Sequence, residues 1–441
     1  MLIQYKFQNF LSFNSEQTLS LVASTSTKER HDDTHVIDVN AFGIESLLKS
    51  VAIFGANASG KSNFTGSLGI LKYLVLRTLG SITSDRIQGV IPFFIKDDPF
   101  DVPTEFEVAF IQEGKSYRYG LAISEGVVAE EWLYWTKDTR ETLLFHRTAQ
   151  RVEFNQRSFA EAKPFVSSLE GGGFQVEKTK PTVPFVSVIS SFNGVRSNQV
   201  TEWFRRLQIV SGTTDDGVKD FTTDLFQQNP EFKSWALKIL ASVQIQDIEV
   251  VEEDGRVPDA LLQHEQLAVA VSSLDTFIKA NNIKHKRIDV IKSRSGNQNR
   301  LYKFPFVAES EGTRKLLYLL GPLYQTIRNG DVLVIDEFDN KFHTLLSEFL
   351  ITLYNRENCN RSQLILTCHD TNLLDKRIFR RDQIWFVEKN NNHESELFSL
   401  LEYREHYTRK EDSYSRDYLA GKYGAIPLFE SANSLDDVCD G

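Results

Sequence analysis

The chain has 441 residues, 41% of them hydrophobic, with a net charge of -10 and three cysteines. That length can bury a large core in two or three domains. Cys359, Cys368 and Cys439 have no disulfide or zinc-site spacing, and the acidic balance argues against a globally basic nucleic-acid binder. No apolar run approaches the roughly 20 residues that span a bilayer, and the N-terminus lacks a signal-peptide layout, so a cytoplasmic enzyme with no membrane partner is expected.

Residues 3–13 alternate like a strand, and 24–35 read as a polar loop. The apolar run 51–54 leads into GANASGKS at 55–62, a full G-x-x-x-x-G-K-[ST] phosphate loop, and Asn63 opens a helix-compatible stretch. Each part has a task. The glycines let backbone N–H groups converge on phosphates, and the following helix adds its positive end. Expected nucleotide contacts are Gly55, Asn57, Ala58, Ser59, Gly60, Lys61, Ser62 and Asn63. Lys61 reaches the β/γ-phosphates and Ser62 holds Mg²⁺.

Residues 90–135 alternate as an antiparallel sheet. The stretch 140–280 reads as helix-rich, including 198–207 and 231–242. Lys284, His285, Lys286, Arg287, Lys292, Arg294, Arg300 and Lys303 then gather across a hairpin around 295–297, either a solvated face or a contact for nucleic acid or a partner. Ser310 and Gly312 stand at the start of an amphipathic helix over 314–327, where Ser310 also suits an N-cap. The run DVLVIDE at 331–337 is a buried strand ending in two carboxylates. Asp336 is expected at Mg²⁺, and Glu337, one residue further out, as general base. A second apolar strand, 363–368, delivers His369. No nuclease or protease constellation stands out elsewhere.

In this order the motifs resemble an ABC-class ATPase of the RloA/AbiL type, linked to bacterial restriction and abortive infection and more distantly similar to SMC heads. The residues that carry the resemblance are IQYKFQNFLSF at 3–13, GANASGKSN at 55–63, SEGTRKLL at 310–317, LVIDEFDNKFH at 333–343, LTCHDTNLLD at 366–375 and the tail YLAGKYGAIP at 418–427. The resemblance implies an α/β P-loop NTPase fold of the ABC/SMC-head type with an antiparallel β-lobe and a helical insertion. Residues 1–140 would form the N-terminal ATPase half, 141–280 the mainly helical insertion and 281–441 the C-terminal half. Ser310 and Gly312 would act as a reduced signature touching the γ-phosphate bound to a second subunit. His369 would be the switch histidine, catalytic with Glu337 and Lys61, while Asp339 and His343 occupy the D-loop and Gln88 the place of a Q-loop metal ligand. ATP and Mg²⁺ are the implied cofactors. An ATP-sandwich dimer, a separately encoded nuclease-like effector and anti-phage defence complete the expectation. A DNA-binding repair or chromosome-structure ATPase, and a scaffold with little turnover, are the alternatives.

Overall fold

The computed structural model describes residues 1–25, 32–76, 85–212, 218–254, 272–273, 276, 284–294, 300–403 and 413–426. The tip of the basic hairpin, Cys439 and the last residue of the 418–427 tail lie outside them. Two compact units emerge, Met1–Thr213 with Thr326–Gly441, and Thr214–Gln325.

The chain opens with β1 (Leu2–Gln8), β2 (Gln17–Ser20), β3 (Val36–Ala41), β4 (Ile44–Leu48) and β5 (Ser50–Phe54). It continues with β6 (Thr104–Gln112), β7 (Lys115–Ser124), β8 (Val127–Thr136), β9 (Glu141–Thr148), β10 (Arg151–Phe154), β11 (Val166–Ser168) and β12 (Phe174–Val176). Nine of these form one antiparallel sheet in the order β11-β12-β10-β9-β8-β7-β6-β1-β2. Period-two patterning explains its packing: Phe106, Val108 and Phe110 of β6 are buried, and Glu105 and Glu107 lie on the other face. The two-residue turns Glu113-Gly114 and Glu125-Gly126 have both residues at positive φ, the twist that suits paired strands.

The sheet runs on through β12, so the segment from 141 expected to be mainly helical begins as strands, interrupted by a 3₁₀ helix at Ala160–Phe165, and α-helix returns at Phe185–Ser191. A register shift between Leu133 and Tyr134 opposite β9 accommodates the run Leu143, Leu144 and Phe145, whose lack of alternation hid the strand.

The remaining strands are β13 (Leu207–Ser211), β14 (Asp247–Asp254), β15 (Lys284–Arg294), β16 (Arg300–Pro305), β17 (Val332–Asp336), β18 (Gln363–Cys368), β19 (Ile384–Lys389) and β20 (Ser395–Ser399). A second sheet of the first unit has the order β13-β17-β18-β5-β19-β20, parallel except for the β19–β20 pair. All five residues of β5 are buried, as expected for a parallel strand covered on both faces. β13 joins this sheet, and residues 195–211 fall in the first unit.

Helix Lys61–Leu76 buries Phe64, Leu68, Leu71 and Leu74. Phe64 meets the rings of Tyr5 and Phe7 edge-on at 6.0 and 5.9 Å, and the Tyr5 hydroxyl donates to Ser67 Oγ at 2.9 Å. The helix that follows the phosphate loop is therefore anchored to the antiparallel sheet as well as to its own strand. Leu68→Ala would cost about 2–5 kcal/mol, a cavity-forming loss large beside ordinary surface changes.

In the second unit, helices Lys219–Gln228 and Pro230–Leu240 accompany the antiparallel sheet β14-β15-β16. Asn229 accepts from Phe232 N at 2.9 Å and Pro230 stands at the first helical turn, so the second helix starts on a side-chain cap. Phe226, Phe232, Trp235 and Tyr324 pack ring against ring.

Five of the basic residues of this sheet are matched by acids. Lys284 pairs with Glu252, Lys286 with Asp224, Arg287 with Asp289 and Glu253, Lys292 with Glu309, and Lys303 with Glu249 and Asp289. Arg300 lies over the Tyr302 ring. Exposed pairs of this kind contribute roughly 0–1 kcal/mol each, but they cancel the local positive field that a nucleic-acid contact would need.

Candidate active site

The phosphate loop leaves the buried end of β5 and is braced from behind. Gly60 has φ +118°, and a Cβ there would lie 2.5 Å from Ser395 Oγ and 2.9 Å from Ser12 Oγ, so only glycine lets the loop seat on these serines. Ser395 Oγ donates to Ser59 O at 2.5 Å, Ser395 N to Ser12 O at 2.7 Å, and Asn63 Nδ2 to Ser12 Oγ at 2.8 Å. Ala56 N donates to Ala425 O at 3.1 Å. Ala58 is held at φ 62°, a conformation costly for a residue with a Cβ and one that the bracing must sustain.

Lys61 begins the helix and is 4% exposed. Its ammonium donates to Gly55 O at 2.7 Å and Ala56 O at 2.8 Å. Burial lowers its pKa to about 8, opposed by the charges of Asp336, Asp339 and Glu337. The lysine is thus a desolvated cation facing three carboxylates across the cleft.

Those carboxylates hang from the end of β17. Thr367 Oγ1, on neighbouring β18, donates to Asp336 Oδ1 at 2.6 Å and accepts from Glu337 N at 2.7 Å. One hydroxyl therefore sets both acids. Glu337 sits at φ 50°, and Asn340 Nδ2 donates to its Oε2 at 3.2 Å. Gly212, at the end of β13, donates its N–H to Asp336 O at 2.6 Å, and a Cβ there would fall 2.2 Å from Glu337 O. The turn carrying Glu337 is fixed from both neighbouring strands.

His369 follows β18. Burial and the Lys61 charge push its pKa down, while Asp339, Glu337 and Asp336 pull it back. A neutral ring at physiological pH can donate from one nitrogen and accept at the other. Asp339 lies in the same cleft, its Oδ2 accepting from the N–H of His369 at 2.8 Å and from the N–H of Asp370. It contacts the site of its own chain.

Asn57 to Asn63, Glu337, Asp339, Asn340, His369, Asp370 and Lys389 line one cleft of about 910 Å³, a size that accepts a nucleotide-sized ligand. Gly55 lies at the rear of the loop, where a Cβ would come 2.3 Å from Val387 O. Gln88 is exposed and absent from this lining. His343 accepts from Leu345 N as the N-cap of helix Thr344–Glu357. Ser310 and Gly312 belong to the second unit, where Ser310 accepts from Thr313 N at 3.2 Å and so caps helix Glu311–Asn329. Sequence reading missed Thr367, Gly212, Lys389 and Ser395. A threonine two residues before the histidine was the only local signal for any of them.

Among the described residues no three His, Cys, Asp or Glu side chains form a metal cluster. Ser62 and Asp336 are the residues that would hold a Mg²⁺ ion arriving with a nucleotide, a hard cation suited to their oxygens. The buried Ser59 Oγ and Asp339 Oδ1, on residues that line the cleft, have no hydrogen-bond partner, consistent with a polar ligand there.

Residues 50–375 match the family described as "AAA domain, putative AbiEii toxin, Type IV TA system". The chain belongs to this family. No curated protein matches it. Among solved structures it is similar to the SMC head domain from Thermotoga maritima, with 13% identity, TM-score 0.39, and 90% of this chain and 98% of that one covered. The Smc head bound to the C-winged helix domain of ScpA gives 12% identity, TM-score 0.43 and coverage of 90% and 97%. A Pyrococcus furiosus Smc head with an extended coiled coil, bound to the C-terminal domain of ScpA, gives 11%, 0.33, 90% and 96%.

Proposed function

We propose that this member of the AAA domain family is a Mg²⁺-dependent ATPase that works as a nucleotide-controlled switch. The observation that carries the reading is the convergence of Lys61, Glu337 and His369 on one cleft from the ends of three adjacent parallel strands, β5, β17 and β18, with Asp336 beside Glu337 at the end of β17 and bonded to Thr367 of β18. Lys61 exchanges its two carbonyl partners for phosphate oxygens, so the loop trades internal bonds for ligand bonds. Bound Mg²⁺ would neutralise charge on the phosphates, with Ser62 and Asp336 holding it. Glu337 takes a proton from the attacking water, and neutral His369 orients that water or a γ-phosphate oxygen.

Ser310 and Gly312 would complete the site of a second copy in an ATP-sandwich dimer, so that binding closes the assembly and hydrolysis opens it. The family's description as a putative toxin of a toxin–antitoxin system goes with a role in a regulated cellular switch, and the likeness of the motifs to RloA/AbiL ATPases is what supports anti-phage defence with a separately encoded, nuclease-like effector. The self-paired basic sheet weighs against direct nucleic-acid binding as the primary role. Glu337→Gln tests the chemistry: it should bind ATP with near-normal affinity, stall hydrolysis and accumulate the closed dimer in size-exclusion chromatography. Hydrolysis at the wild-type rate would place the base elsewhere.

A further inference from the structure

We propose that Asp339 is a positioning residue that ties the switch loop to the charge of the bound Mg·nucleotide. One of its oxygens is committed. Oδ2 accepts from the consecutive backbone N–H groups of His369, at 2.8 Å, and Asp370, so it fixes where the peptide leaves β18 and where the histidine ring is presented. The other is not. Oδ1 is buried without a hydrogen-bond partner on a residue only 8% exposed, and that residue lines the phosphate-loop cleft.

An ionised carboxylate oxygen kept dry and unbonded is costly unless a ligand supplies a donor or a cation. The charge at Asp339 is felt at both ends of the cleft, by Lys61 and by His369. A bound Mg·nucleotide would bring a cation or a hydrogen-bond donor within reach of Oδ1, as would the ammonium of Lys61 when it swings toward the phosphates. The same side chain would then be held at both oxygens, and the His369 loop would stiffen only when the metal-bearing nucleotide is present. A carboxylate that merely caps a strand end would have both oxygens satisfied or solvated without ligand.

The inference rests on the proposed Mg·ATP reading and can be separated from it. A negative charge beside a triphosphate repels the metal-free nucleotide and favours the metal-bound one, so neutralising it should weaken binding of the metal-bound form and spare or strengthen that of the metal-free form. In Asp339→Asn the amide oxygen can replace Oδ2 as the cap, while the charge is lost. Calorimetry with the β,γ-imido analogue of ATP should show about a tenfold loss of affinity in the presence of Mg²⁺, and unchanged or tighter binding in EDTA. Hydrogen exchange at the His369 and Asp370 amides should slow with the Mg-bound analogue in the wild type and not in the variant. Equal losses in both conditions, or no change in either, would reduce Asp339 to a strand cap. A wild-type protein that binds the analogue in neither condition would overturn the nucleotide reading and this one with it. If Asp339→Asn does not fold, Asp339→Glu decides: keeping the charge, it should keep the wild-type preference for the metal-bound analogue, and loss of that preference sinks the proposal.

Discussion

Two regions of this chain are dense in charge, and they use it in opposite ways. On β14 to β16 the named lysines each meet a carboxylate, and Arg287 meets two, at or near the surface. In the phosphate-loop cleft a buried ammonium bonds two carbonyls while three carboxylates stand across from it, and one carboxylate oxygen has no partner at all. The first arrangement is complete by itself. The second makes sense only with a ligand, and this contrast separates function from solubility better than the count of charges does.

The contrast predicts a graded set of outcomes. Lys61→Met should have the largest effect, a loss of ATP affinity of about 100-fold or more in calorimetry, because no other cation of the loop can replace it. The same variant should melt higher than wild type at pH 7 without nucleotide. The sign follows from linkage. A lysine whose pKa falls from 10.5 to about 8 on folding is penalised fully below pH 8, and the penalty fades as pH rises through 8 toward 10.5. The difference in melting temperature should therefore shrink across that window. A lysine that instead stabilised the empty loop would reverse the sign.

Next in size, Glu337→Gln should slow single-turnover hydrolysis by about 10²- to 10⁴-fold with little change in ATP affinity. A proportional loss of binding would mean that the residue holds the fold of the turn, whose φ of 50° leaves it open to strain.

A smaller, partial effect tests sharing between copies. Ser310→Arg and Lys61→Ala should each be inactive alone, and a mixed dimer carries one site with both defects and one with neither, so mixing should restore part of the activity. Should native mass spectrometry show the heterodimer while activity stays absent, Ser310 is only the helix cap it is seen to be, or the two sites are obligatorily coupled, which titrating wild-type subunits would separate.

Smallest of all, Lys303→Gln should change stability by about 0.5 kcal/mol or less and leave ATP affinity and nonspecific DNA retention unaltered, as for an exposed paired charge. A clear drop in DNA retention would show that the pairing seen on β15 and β16 opens for a nucleic-acid ligand.

Much of the site could be read locally. Asp336, Glu337 and His369 each stand at or just past the end of a buried, largely apolar strand, and Lys61 closes the glycine-rich motif that follows another, so each leaves a sharp mark in the sequence. Partners across strands leave little. Ser12 and Ser395 are 383 positions apart, and Thr367 is 31 from Asp336, so their hydrogen bonds are consequences of strand order alone. Asp339 was visible as an acid near the D-loop but not as the group that holds the histidine's own backbone. Within the stretch 141–280 read as mainly helical, β9 was missed because a bulge breaks the alternation on which strand recognition depends. Gln88 had a glutamine's chemistry but not the position, exposed and away from the cleft lining.

The bracing of the loop by Ser12, Ser395 and Ala425 also sets an order of events during synthesis. A chain emerging from the ribosome exposes its glycine-rich motif early, yet the serine that seats Gly60 and the carbonyl that takes the Ala56 amide are made more than 300 residues later. Contacts of such sequence separation form late and slowly. An arrested nascent chain ending before Ser395 would therefore carry the whole motif and still not retain ATP, so the growing polypeptide would stay nucleotide-blind until those bracing residues have emerged.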